Sequence, residues 1–332
     1  MGQGRAGGRN QAGVRVRLAV FVPLAFAACA ALAQYPERPV RLIVPQAAGS
    51  ATDTVARLLG AEMVAPLGQS VVVEDRPGGA LTIGIDLVAK STPDGYTIGM
   101  GPIGAMAITR HMVAKLPYDI ERDLQPIALV VKGHLLLAVS PSLPVKSVQE
   151  LVEYAKKNPG KLMNASSSNG SPGHVGGELF KYMTGTDIVH VPYKGGAMAI
   201  NDLIAGHVQV MFESLNSIST FARSGKVHAL AVSGAKRSVG FPDLPTIGEA
   251  GVPGYDAGTW TGVIGPARMP RPVVNKLNAS INQAIASPVF LARFAQIGDE
   301  PAGGTPEDFA ETIRRDSAKW AEVVKRSGAK ID

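Results

Sequence analysis

Two stretches of the chain combine small and hydroxyl-bearing residues in the way an anion site requires. One is Pro45-Gln46-Ala47-Ala48-Gly49-Ser50-Ala51-Thr52-Asp53, and the other is Ser166-Ser167-Ser168-Asn169-Gly170-Ser171-Pro172-Gly173-His174. Each follows a short β-type run and opens a helical pattern. Free backbone N–H groups and the positive end of a helix dipole would therefore point at whatever sits there. Small side chains admit a ligand to the backbone, and serine and threonine hydroxyls add donors. The candidate contacts are Gln46, Ala48, Gly49, Ser50, Thr52 and Asp53 in the first loop. In the second they are Ser166, Ser168, Asn169, Gly170, Ser171 and His174. The plainer alternative makes Thr52 and Asp53 helix caps and 166–171 a polar surface loop. Having one such loop in each half of the chain favours ligand contact, because open α/β sheets bind at the carboxyl ends of their strands. A third loop, His190-Val191-Pro192-Tyr193-Lys194-Gly195-Gly196, also opens a helix. There Lys194 would face an anion, Gly195 would expose backbone and Tyr193 would wall the pocket, unless the lysine is solvated and the tyrosine packed.

Catalytic patterns are missing. Position 169, two before Ser171, is Asn rather than the Gly of a nucleophile elbow, and no strand runs into a dinucleotide or Walker glycine pattern. Ser171 and His174 lie only three apart in a loop. The histidines at 111, 134, 174, 190, 207 and 228 lack metal-ligand spacing. Asp53, Glu178 and Glu213 form no recognisable acid/base pair. No enzyme, metal or cofactor is expected.

The elements that must position these loops alternate along the chain. Val40–Val44 reads as a strand, and Val55, Leu58, Leu59 and Met63 have helical spacing. Further strands fall at 71–74 and 96–100, with a helix over 81–91 between them, a βαβαβ series that implies a parallel sheet. Strands follow at 127–131 and 135–140. The pattern restarts at Ser147, whose capping box with Glu150 opens a helix. Strands at 162–165, 188–191 and 208–212 alternate with helices, 227–232 is the last strand of this set, and 260–265 returns the chain to the first sheet. In the tail, Val273, Leu277, Ile281 and Ile285 share one helical face. Thr305-Pro306-Glu307-Asp308 opens a last helix with buried Phe309, Ile313, Trp320 and Val324. Two α/β lobes follow, the second inserted in the first: 34–139 with 263–332, and 140–262, with a cleft between them.

The 332 residues carry a formal charge of +6 and a single cysteine. Arg5, Arg9, Arg15 and Arg17 all precede residue 34, where no Lys, Asp or Glu occurs, so the remaining chain carries +2. Nucleic-acid binding has no support in that balance. Those arginines, the apolar run Leu18–Ala33 and its Ala31-Leu32-Ala33 end have the order of a secretory signal cleaved near Ala33. Lipidation at Cys29 is a poorer fit, since Phe26 starts the would-be lipobox. The reading is an exported, periplasmic, monomeric protein, with 1–33 as the signal peptide.

The loops and their neighbours resemble the Bug receptors, the extracytoplasmic solute receptors of tripartite tricarboxylate transporters. The matching residues include Tyr35-Pro36-x-Arg38-Pro39, Pro45 to Arg57, Arg76-Pro77-Gly78-Gly79 and Pro93-Asp94-Gly95-Tyr96. They continue through Leu116-Pro117-Tyr118-Asp119, His190 to Gly196, Phe241 to Thr246 and Glu249-Ala250-Gly251. The resemblance implies a two-lobe type II periplasmic binding protein that holds a small organic carboxylate through backbone amides, hydroxyls and water and delivers it to membrane transporter subunits. A sensor subunit signalling to a membrane kinase would need the same closed surface, and a secreted hydrolase is the remaining alternative. Gln46 and Ser50 stand where the family has Phe and Gly, which points to a more polar ligand end. Glu213 occupies a position where the family often has an acid, to meet a ligand ammonium or hydroxyl or to serve as a cap.

Overall fold

The computed structural model describes residues 1, 2, 4, 35–327 and 330. The expected leader, its cleavage site and Cys29 lie outside the described residues, apart from residues 1, 2 and 4. Contacts separate Met1–Glu37 from a compact unit, Arg38–Asp332, which holds everything below. Among the described residues no helix is long and apolar enough to cross a membrane.

The first elements in chain order are β1 (Val40–Val44), α1 (Ala51–Leu67), β2 (Val71–Asp75), α2 (Thr82–Ala89), β3 (Thr97–Pro102) and β4 (Leu124–Gly133). The next are β5 (Leu135–Val139), α3 (Val148–Lys157), β6 (Leu162–Ser166), α4 (Pro172–Thr184), β7 (Ile188–Pro192) and α5 (Gly196–Ala205). Then follow β8 (Val210–Ser214), α6 (Leu215–Arg223), β9 (His228–Val232) and β10 (Thr259–Pro266). The tail comprises α7 (Arg271–Ile285), α8 (Pro288–Ile297), β11 (Glu300–Pro301) and α9 (Pro306–Ser327).

The strands form two mixed sheets, ordered β11-β4-β10-β3-β1-β2 and β7-β6-β8-β5-β9. In the first, β1 lies parallel between β2 and β3, with Val40 opposite Val71 and Leu42 opposite Ile98. In the second, β6 is parallel to β7 and β8, with Asn164 opposite Val210. The inner strands β3 and β6 are mostly buried, whereas the edge strands β2 and β7 are largely half-exposed and carry Glu74, Asp75 and His190 among their apolar residues. β10 enters the first sheet antiparallel between β3 and β4, and β5 enters the second antiparallel between β8 and β9. All the parallel strands therefore end toward the loops that open α1, α4 and α5.

The chain changes sheet earlier than expected at the first crossing and about where expected at the second. β5 belongs wholly to the second sheet, so the first passage is at His134 and not between 139 and 140. The return is at Gly258, with β10 beginning at Thr259, one residue before the strand read at 260–265, so the lobe bound drawn after residue 262 falls inside β10. An unbroken apolar run, Leu135–Val139, carries no mark of which sheet it serves. Ser233 fastens the two crossings. Its Oγ accepts from Leu135 N and donates to Ala257 O, both at 2.8 Å.

Local signals account for the helix ends. Ser50, Ser147, Ser171 and Ser287 each accept a first-turn amide with the side-chain oxygen. Phe309, Ile313, Trp320 and Val324 form the buried stripe of α9, and Trp260 meets Phe309 edge to face at 5.4 Å. In α7 the buried stripe begins at Val274 rather than Val273.

Candidate functional site

A cavity of about 280 Å³ lies where strand ends of both sheets meet the starts of four helices. From the first sheet's side come Gln46, Gly49, Ser50 and Thr52, around the N-terminus of α1. Thr259 and Thr261 of β10, Pro102 at the end of β3 and Gly104 just beyond it complete that wall. The second sheet's side supplies Ser167 and Gly173 at the start of α4 and Gly196 and Ala197 at the start of α5. Glu213, Ser214, Asn216 and Ser217 come from the end of β8 and the start of α6. Leu81, Ile200 and Phe221 add apolar surface.

Each helix start has a local cause. Gly49 takes a left-handed φ of 78°, which glycine adopts without strain. Its N–H donates to Asp53 Oδ2 at 2.8 Å, and Ser50 caps Asp53 N at 3.2 Å. Asp53 is thus turned back onto its own loop and onto Arg57, whose Nε is 2.8 Å from Oδ1. The N–H groups of Ala51 and Thr52 have no acceptor inside the helix. At α4 the first turn lies hard against β8, since a Cβ on Gly173 would come 2.1 Å from Phe212 O. α5 and α6 begin without a side-chain cap. First-turn residues of all four helices line this one small space, so the positive ends of their dipoles converge on it.

Among the described residues no Lys, Arg or His lines the cavity, and the one ionisable lining group is Glu213. That carboxyl is 6% exposed. Burial pushes its pKa up to about 7, against hydrogen bonds from Ser214 N–H and the Ser217 hydroxyl. Ser214 N donates to Oε1 at 2.9 Å. Asn216 Nδ2 donates to Ala51 O at 3.1 Å, tying α6 to the start of α1. Asn216 Oδ1 and Gln46 Oε1 are buried with no protein donor, so both can accept from a ligand hydroxyl or a bridging water. Among the described residues no three His, Cys, Asp or Glu side chains gather as a metal site would need.

The cavity takes in Gln46, Gly49, Ser50, Thr52 and Glu213 of the residues singled out from sequence. The others stand outside its lining. Ala48 is exposed at the outer edge of its loop, and Asp53 is spent on Gly49 and Arg57. In the second loop Ser167, not its neighbours, lines the cavity. Ser166 Oγ bonds to His190 Nε2 at 2.7 Å and to Ser168 O at 3.0 Å. Ser168 O also accepts from Ser171 N, and Ser171 Oγ caps His174 N at 3.3 Å. Gly170 N donates to His174 Nδ1 at 3.1 Å, Asn169 is half-buried between them, and His174 stacks on His190 at 3.7 Å. Burial holds these two imidazoles down, His174 to about 4 and His190 to about 3. They brace the loop as neutral rings. In the third loop Tyr193 OH donates to Asp202 Oδ2 at 2.6 Å and Lys194 is exposed. Gly195 caps α5, so Gly196 and Ala197 reach the cavity in its place.

Sequence reasoning missed the α6 wall and the β10 threonines. Ser214-Leu215-Asn216-Ser217 repeats the plan of the other loops, a strand end running into a helix start rich in hydroxyl and amide groups. That signal was available.

A sequence model of the family described as "Tripartite tricarboxylate transporter family receptor" matches residues 55–329. The solved structure of R. palustris Rpa4515 with adipate is 38% identical, has a TM-score of 0.86, and the match covers 90% of this chain and 100% of that one. The periplasmic binding protein BugD is 36% identical with a TM-score of 0.84, over 89% of this chain and 99% of its own. MatC (Rpa3494) from Rhodopseudomonas palustris, with bound malate, is 32% identical with a TM-score of 0.83, over 87% and 100%. The mixed α/β fold with two sheets is therefore that of periplasmic binding proteins.

Proposed function

The chain belongs to the tripartite tricarboxylate transporter receptor family, and from that premise we propose that it is a periplasmic receptor for a small organic carboxylate. The cavity at the joined helix starts is the observation that carries this reading. First-turn residues and hydroxyls outnumber charges there, and among the described residues no cationic side chain lines it. A carboxylate held by backbone donors and helix dipoles needs no lysine or arginine. Binding of adipate by Rpa4515 and of malate by MatC supports the same ligand class.

The two sheets with their helices act as lobes, and the ligand favours the closed form by binding it better than the open one. The Asn216–Ala51 bond joins α6 to the start of α1 beside the cavity and favours the closed form. The closed surface then docks on membrane transporter subunits. The leader is removed near Ala33, the exported chain works as a monomer, and it captures its ligand without chemical turnover.

A thermal-shift screen of residues 34–332, refolded to remove carried-over ligand, tests the reading. A ligand at 100 times its Kd stabilises by about 2.7 kcal/mol, which raises Tm by several degrees. Selective shifts with di- or tricarboxylates are the expected result. Shifts from neutral sugars alone would refute it.

A further inference from the structure

Glu213 sits oddly in a cavity built to hold an anion. It is buried, and among the described residues it is the only ionisable side chain in the lining, with no cation beside it there. Its Oε1 is held by Ser214 N at 2.9 Å. Its Oε2 lies against the start of α5, where a Cβ on Gly196 would be 3.2 Å away. The charged groups on the surrounding elements are engaged elsewhere. On α1, Asp53 pairs with Arg57; on α4, Glu178 pairs with Lys181 and His174 stacks on His190. Asp202 of α5 takes the Tyr193 hydroxyl. Arg223, at the far end of α6, donates to Gly240 O and Gln296 O. The flanking strands β5 and β6 carry no ionisable residue.

An anion entering this space meets an ionised carboxylate at close range with little water between them. One proton from solvent removes the repulsion and turns an acceptor-only group into an O–H donor. We propose that Glu213 takes up one proton as an anionic ligand binds, so that its neutral carboxyl donates a hydrogen bond to a ligand oxygen. The assignment rests on the carboxylate reading above and sharpens it: the ligand end at Glu213 is an oxygen acceptor, not an ammonium group. Burial already holds the acid near neutrality, at about 7, so the proton is taken up in the physiological range.

Calorimetric titration with adipate and with malate at pH 7.5, in phosphate and in Tris, reads the proton count from the difference in heat. Uptake approaching about one proton per ligand is expected, with affinity falling up to about tenfold per pH unit between pH 7 and 9. Glu213→Gln should bind with buffer-independent heat and a flat pH profile. Ser217→Ala, which removes a bond to the ionised form, should move the midpoint of the profile to higher pH. Binding without proton uptake, proton release, or unchanged uptake in Glu213→Gln would overturn the assignment while leaving the carboxylate reading intact. No binding of these two acids or of any other di- or tricarboxylate in the thermal screen would overturn both.

Discussion

Replacing Gly173 by alanine perturbs the closest backbone contact in the site. The added Cβ would come 2.1 Å from Phe212 O, against about 3.2 Å for an ordinary carbon–oxygen contact, so the start of α4 and the end of β8 must part by about 1 Å. Overpacking of this kind costs about 1–3 kcal/mol, partly offset by the better helix propensity of alanine, about 1 kcal/mol. A fall in Tm of about 2–6 °C is expected for a chain of this size. The effect on binding is larger. Either Gly173 N–H or the β8 end that carries Glu213 moves about 1 Å from its place, enough to lose one charge-assisted hydrogen bond of about 1.5–3 kcal/mol. Affinity for the carboxylate should fall roughly 10- to 100-fold. Gly185→Ala is the control, since its φ of 65° strains an alanine while nothing lies within 4 Å of the new Cβ. It should lower Tm by a comparable amount and leave affinity alone. Thermal unfolding and calorimetric titration of both variants decide the matter. If Gly173→Ala loses stability yet binds like the parent, the start of α4 does not set the site.

Ser167→Glu puts a like charge on the cavity wall; at about 5 Å and an effective dielectric of about 20 this costs roughly 3 kcal/mol, so titration should show roughly 100-fold weaker binding. An unchanged Kd would remove that loop from the site. Asp299 is 7% exposed and burial raises its carboxyl from 3.8 to about 7, against a backbone hydrogen bond from His134. The folded state therefore holds a proton that the unfolded chain releases, and stability falls as pH rises from about 4 to about 7, by roughly 4 kcal/mol in all. Urea unfolding of Asp299→Asn should show the variant gaining on the parent across that window; a constant difference would refute it. The buried imidazoles of His174 and His190 act with the opposite sign, because the unfolded state binds protons first as pH falls below about 6.5. His190→Gln should flatten the acid limb of the stability curve between pH 6.5 and 4.5, and an unaltered slope would contradict the pair's neutral state.

The sequence carried the frame of the molecule well, and for physical reasons. β1, β2 and β7 are short runs rich in β-branched residues, β6 is a short run after the turn at Gly160, and the observed limits of all four lie within a residue of those read from pattern. Ser147 and Thr305 cap where spacing placed them. The return of β10 to the first sheet was legible from its apolar run. What pattern could not supply was direction. Ser166, Ser167 and Ser168 are chemically alike, and only the fold turns Ser167 inward while Ser166 faces His190. Asp53, Ser171 and Tyr193 have the chemistry of ligand contacts and are consumed by their own loops. α6 escaped notice because Ser214 makes no side-chain cap bond and the helix is rich in Asn, Ser and Thr, which favour caps and turns over helix interiors. Glu213 was found through resemblance rather than pattern, since its meaning depends on burial.

The central claim, that helix starts bind a carboxylate charge without a cationic side chain, is tested most directly by one comparison. The refolded protein is titrated calorimetrically with a dicarboxylate that the thermal screen selects and with its diamide, which keeps the shape and loses the charge. Saturable binding of the diacid, with the diamide weaker by 100-fold or more (about 2.7 kcal/mol or more), is the predicted result. Equal binding of the two would contradict the account, because it would mean that shape, and not the field of the helix starts, selects the ligand.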